Sequence, residues 1–119
     1  MLKVIPAADW NGSANIMIIV SDGELQDSTS FLFTVGSVND APTIEQISNM
    51  VMNEDDLLEF SVEISDVDEG DMLSLSISSE TSSVFVNVDT ENRIVTARPD
   101  TNWHGSAQIH VIVSDAQLT

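Results

Sequence analysis

The chain has 119 residues, with 20 acids against 3 bases for a formal net charge of −17, no cysteine, and 42% apolar residues. Such a charge argues against nucleic acid and anionic membrane surfaces as partners, because long-range repulsion opposes both, and it favours cations. With no cysteine there is neither a disulfide nor a thiolate zinc site, and no run of 18 apolar residues is present to insert into a bilayer.

The apolar pattern has period two along almost the whole chain, the mark of strands with one buried and one wet face. Strands are predicted near 14–21 and 30–36, the second with Phe31, Phe33 and Val35 on one side. Six more are predicted near 43–52, 57–65, 72–78, 83–88, 93–98 and 107–114. In the second of these Leu58, Phe60, Val62 and Ile64 alternate with Glu59, Ser61 and Glu63, and in the last Ala107, Ile109, Val111 and Val113 share a face. Turn sequences rich in Asp, Asn and Gly separate the strands, among them "DGE" at 22–24, "NDAP" at 39–42, "DVDEGD" at 66–71 and "NWHG" at 102–105. No helical period of useful length occurs, so the chain is all-β, with the strand spacing of a β-sandwich.

The chain also repeats itself. "WNGSANIMIIVSDGEL" (10–25) returns as "WHGSAQIHVIVSDAQL" (103–118), and between 6–26 and 99–119 eleven of twenty-one aligned positions are identical, without gaps. The offset of 93 residues is the size of a small domain and too long for a solenoid repeat. The expected organisation is therefore the C-terminal part of one repeat in 1–37 (the end of strand E, then F and G), a linker at 38–42, and strands A to F of the next repeat in 43–119, with its last strand expected after Thr119. A hairpin alone is marginal in water, and the second repeat would carry an unpaired edge. Residues 1–36 are thus expected to be loosely ordered, to donate a strand within the chain, or to pair with another molecule in a strand-swapped homodimer. The linker "GSVNDAPT" is short for folding back along a whole sandwich, which ranks the swap above the in-chain alternative.

The order W-x-G, VSDG, FxFTVxSVNDAP, NED and DVDEGD resembles bacterial cadherin-like (Ig-like) tandem repeats of large surface adhesins and other repetitive extracellular proteins, the most specific piece being VNDAP at 38–42. The resemblance covers Pro6 to Thr119. It implies an Ig-like/cadherin-like Greek-key β-sandwich of seven strands per repeat and an extracellular or cell-surface location. It also implies a structural role as a calcium-rigidified spacer or adhesion module whose partners are neighbouring repeats of the same protein. In such repeats calcium is held by the linker and the B–C and F–G loops. By topology those loops share one end of the sandwich, so Asn39, Asp40, Asp66, Asp68 and Asp115 are expected to converge there. Glu54 resembles the glutamate that opens strand B and serves the linker at the opposite end.

The residue chemistry agrees with that ligand set. Calcium takes six to eight hard oxygens, and "DVDEGD" supplies Asp66, Asp68, Glu69 and Asp71 around Gly70. It is not an EF-hand, since the twelfth position of the run is Ile77. Each cluster could equally be a solvated turn that uses Asp and Asn for turn geometry. The Asp-Arg-Glu element of cadherins has no counterpart, only Asp100 in "RPDTNWHG", so one or two ions are expected rather than three. His104 and His110 align with Asn11 and Met17 and read as surface histidines. No nucleophile elbow or cleft for paired acids is evident, and no enzyme activity is expected. The alternative to the spacer is a carbohydrate- or protein-recognition domain using Phe85, Ile112 or the tryptophans.

Overall fold

A computed structural model describes residues 1–119, all in strands and turns. The chain divides into two compact units, Met1–Val38 and Asn39–Thr119. The first is one hairpin. β1 (Gly12–Ser21) and β2 (Gln26–Val35) run antiparallel in unbroken register from Gly12 opposite Val35 to Ser21 opposite Gln26. Its side chains form no core: Met17, Ile19 and Leu32 are 65%, 57% and 70% exposed, and no residue of the unit is buried.

The second unit is a two-layer β-sandwich. Its strands in chain order are β3 (Thr43–Ile44), β4 (Leu58–Ser61), β5 (Ile64–Ser65), β6 (Ser74–Ser79), β7 (Val84–Asp89), β8 (Ile94–Pro99) and β9 (Ile109–Ser114). One layer holds β4, β8 and β7 in that order, extended by the β3–β5 pair; the other holds β6 and β9, and every ladder is antiparallel. Val62, Ile64 and Val95 from the first layer meet Leu75 and Val113 from the second, with Phe60, Ile77 and Val111 packed around them. These are the inward positions of the alternating runs, so the period-two pattern places the core correctly. Val62 and Val95 are fully buried; a side chain of this size contributes about 1.5–3 kcal/mol when removed from water.

Two predicted strands come out shorter. The run 57–65 is interrupted at Val62 and Glu63 because the chain changes neighbours there: β4 pairs with β8, Val62 N–H still donates to Arg93 O (2.9 Å), and β5 then pairs with β3 instead. The run 43–52 keeps a ladder only over β3, followed by Glu45 N–H to Glu63 O (2.9 Å). Residues 46–52 carry no ladder, and Val51 is 96% exposed.

The repeated W-x-G is a packing unit. A Cβ built on Gly105 would stand 3.1 Å from Trp103 Cζ2, and one on Gly12 would stand 3.4 Å from Trp10 Cζ2. Each indole therefore lies over its own glycine, whose φ is positive in both copies. Gly105→Ala should lower unfolding stability by about 1–2 kcal/mol through overpacking and backbone strain, read as a lower urea midpoint at unchanged slope.

Candidate metal centre

Three turns meet at one end of the sandwich. β9 ends in Asp115, β5 runs into Asp66, and the chain enters the unit through Asn39 and Asp40. Asp115 is 5% exposed and uses both oxygens. Oδ1 accepts the backbone N–H groups of Gln117 (2.7 Å) and Leu118 (2.6 Å), closing an Asx turn. Oδ2 accepts from the Asn39 side-chain amide (2.8 Å). Gln117 Nε2 donates in turn to Asn39 Oδ1 (2.8 Å), so two amides clasp the entry segment to the turn after β9.

The first copy of the repeat separates turn chemistry from the rest. Asp22 Oδ1 accepts from Glu24 N–H (3.0 Å) and Leu25 N–H (2.9 Å), the same Asx turn as at Asp115. The serine before each aspartate accepts from the N–H two positions on, Gly23 and Ala116. Half of the Asp115 carboxylate is thus explained by turn geometry alone. Its second oxygen, held against Asn39, is what the corner adds.

Asp66 Oδ1 accepts from Asp68 N–H (3.0 Å), while Asp66 Oδ2 is buried with no hydrogen-bond partner. A buried acceptor left unpaired costs free energy. Asp68 Oδ2 is taken by Asp40 N–H (2.7 Å). Gly70, at φ 97°, turns the chain back so that Asp71 returns to the corner. One carboxylate oxygen each from Asp66, Asp71 and Asp115 lie within 4.8 Å of one another, inside the span of about 4.6–5.2 Å that two oxygens take across a calcium ion. Asp68 and Asp40 frame the site through their mutual hydrogen bond. Glu54 does not join them: it is exposed in the turn before β4, and the adjacent Asp55 accepts from Asn102 N–H (3.1 Å) at the other end of the sandwich.

Sequence reasoning noted Asp71 within the acid run but left it out of the ligand set. The glycine before it was the signal, since a positive-φ residue reverses the chain direction. Gln117 gave no signal, because its partner is 78 residues away. The His110–Glu80 contact (3.5 Å) lies between exposed side chains away from this corner.

The carboxylates titrate in opposite directions. Asp71 is exposed, and partial desolvation, followed by repulsion from Asp68, Asp66 and Asp115, raises its pKa above the usual aspartate value. Hydrogen bonds from Leu118 N–H, then Asn39 and Gln117, lower that of Asp115. A raised folded-state pKa means that ionised Asp71 opposes folding above that pKa, an effect relieved as pH falls through it. Asp115 contributes stability above its unfolded pKa, lost as pH falls through its lowered folded pKa. In chelator at pH 7, Asp71→Asn should raise the melting temperature and Asp115→Ala should lower it; the Asp71→Asn gain should shrink as the pH approaches 4. Ala116 sits at φ 82° where the first copy has Gly23 at φ 98°. Ala116→Gly should stabilise the chain by about 1 kcal/mol, read by urea unfolding.

Residues 39–119 match the family described as bacterial Ig domain, and the match spans the sandwich unit. Comparison with curated proteins and with solved structures returned no match. A family match over 81 of 119 residues, on an all-β two-layer sandwich with the strand pairing given above, means that this chain belongs to the bacterial Ig domain family.

Proposed function

We propose that the chain is a calcium-rigidified spacer or adhesion module of a large extracellular or cell-surface repeat protein. The observation that carries the reading is the cluster of Asp66, Asp71 and Asp115, in which Asp66 Oδ2 is buried without a hydrogen-bond partner. A hard divalent cation there would supply the missing partner and offset the mutual repulsion. Hard oxygens with no thiolate or imidazole among them suit calcium and not zinc. Asn39 donates to Asp115 Oδ2 and so ties the entry segment to the acid cluster. Because Asn39 and Asp40 lead into the unit, an ion at the corner would stiffen the entry to each sandwich and so limit bending along a string of such modules. Bacterial Ig domains of repetitive surface proteins fit that role.

The recognition alternative gains little support. Phe85 and Ile112 are 72% and 49% exposed, but they belong to β7 and β9, which lie in different layers. They do not form one patch.

The test is a thermal melt of the 119-residue chain in calcium and in chelator, beside Asp66→Asn with Asp71→Asn. Mass-action linkage gives about 2.7 kcal/mol of stabilisation at a hundredfold excess over Kd. The wild type should gain a corresponding rise in Tm, and the double variant should not. Equal melting temperatures in calcium and chelator would overturn the reading.

A further inference from the structure

Three hydrogen bonds close a ring where the chain enters the sandwich. Gln117 N–H donates to Asp115 Oδ1 (2.7 Å), Asn39 Nδ2 donates to Asp115 Oδ2 (2.8 Å), and Gln117 Nε2 donates to Asn39 Oδ1 (2.8 Å). We infer that this ring is a latch, with Gln117 as its positioning residue, which holds the entry segment against the turn after β9 by the chain's own donors and without a cation. The latch operates whether or not an ion fills the acid cluster, and so goes beyond the calcium reading.

The chemistry of the ring permits one arrangement. An ionised carboxylate only accepts, so Asn39 must turn its amide nitrogen to Asp115. Its carbonyl oxygen then faces Gln117, which must answer with its own amide nitrogen. The Asn39 amide also donates to Asp40 O (3.1 Å). The half-buried Asn39 side chain is thereby engaged through both donor and acceptor, as are both oxygens of the buried Asp115. Bonds in such a ring polarise one another, so the loss of one weakens the rest.

The first copy of the repeat shows that the turn does not require Gln117. Asp22 N–H donates to Leu25 O (3.2 Å) just as Asp115 N–H donates to Leu118 O (3.2 Å), and Asp22 Oδ1 takes the equivalent pair of backbone donors. Yet the position of Gln117 is held there by Glu24, whose ionised carboxylate has no proton to give. The turn is common to both copies, and the donor belongs to the second alone. What Gln117 adds is the reach across 78 residues to Asn39. Pro42 is buried and Thr43 opens the β3 ladder. The latch, with the Asp40 N–H bond to Asp68 Oδ2 (2.7 Å), therefore fixes the residues ahead of them that the sheet does not hold.

Amide exchange measured by NMR on the 119-residue chain in chelator tests the latch. Asp40 N–H should be protected in the wild type. Gln117→Met keeps the side-chain length and removes the donor. It should speed Asp40 exchange about two- to fivefold, the low end for one net hydrogen bond, because Gln117 is exposed. Gln117→Glu, which installs the first copy's residue, should act at least as strongly. Asn39→Ala should also speed exchange, and adding Gln117→Met to it should change nothing more, because the two side chains act as one unit. Three results would each overturn the inference: exchange of wild-type Asp40 at the rate of an unstructured peptide, an unchanged rate in Gln117→Met, or an equal effect of Gln117→Met with and without the Asn39 side chain.

Discussion

Like charges brought to one point govern the sandwich end. Asp66, Asp71 and Asp115 come from two turns far apart in sequence, and the fold places their oxygens within 4.8 Å of one another. Asp115 can be nearly buried there because four hydrogen-bond donors or backbone contacts hold its two oxygens and its turn in place. Asp66 has no such provision for Oδ2, and desolvation followed by repulsion raises the pKa of Asp71. The corner is therefore built unevenly: the chain's own donors hold both oxygens of Asp115 but only one of Asp66.

The rest of the unit sets up that convergence. The apolar contact between Val62, Val95 and Val113 fixes the two layers face to face, which brings the ends of β5 and β9 to the same side. The change of partner at Val62 and Glu63 lets β5 reach β3, and β3 delivers Asn39 and Asp40 to the corner. Each step is a local pairing choice with few residues behind it, since β3 and β5 are two residues long.

How much of this could be read from the sequence depended on the physical source of each signal. The inward positions of β4 and β9 were legible because alternation is a direct record of two-faced burial. The meeting of Asp40 with Asp68 and of Asn39 with Asp115 followed from topology, since loops that share an end must approach. The return of Asp71 was harder, because it rests on one backbone angle at Gly70. The shortness of β3 was not legible at all: residues 46–52 contain Ile47, Met50, Val51 and Met52, and whether such a run makes a ladder depends on a neighbour the run itself does not encode. Likewise W-x-G suggested a turn near a strand, but only the close approach of Trp103 to Gly105 shows why the glycine is there.

The unladdered stretch 46–52 bears on how the unit would be cut. Its backbone amides have no sheet to hold them, and Val51 stands almost fully in solvent, the circumstances a protease needs to thread a chain through its cleft. A nick there would leave Asn39–Gln46 attached by the short β3–β5 pair, the neighbouring Glu45 bond, the packing of Ile44 on the core, the Thr43–Ser65 hydrogen bonds and those at the acid corner. Susceptibility to digestion and the hydrogen bonds of that corner are then linked, since whatever ties Asn39 and Asp40 to Asp115 and Asp68 also keeps the severed arm from leaving.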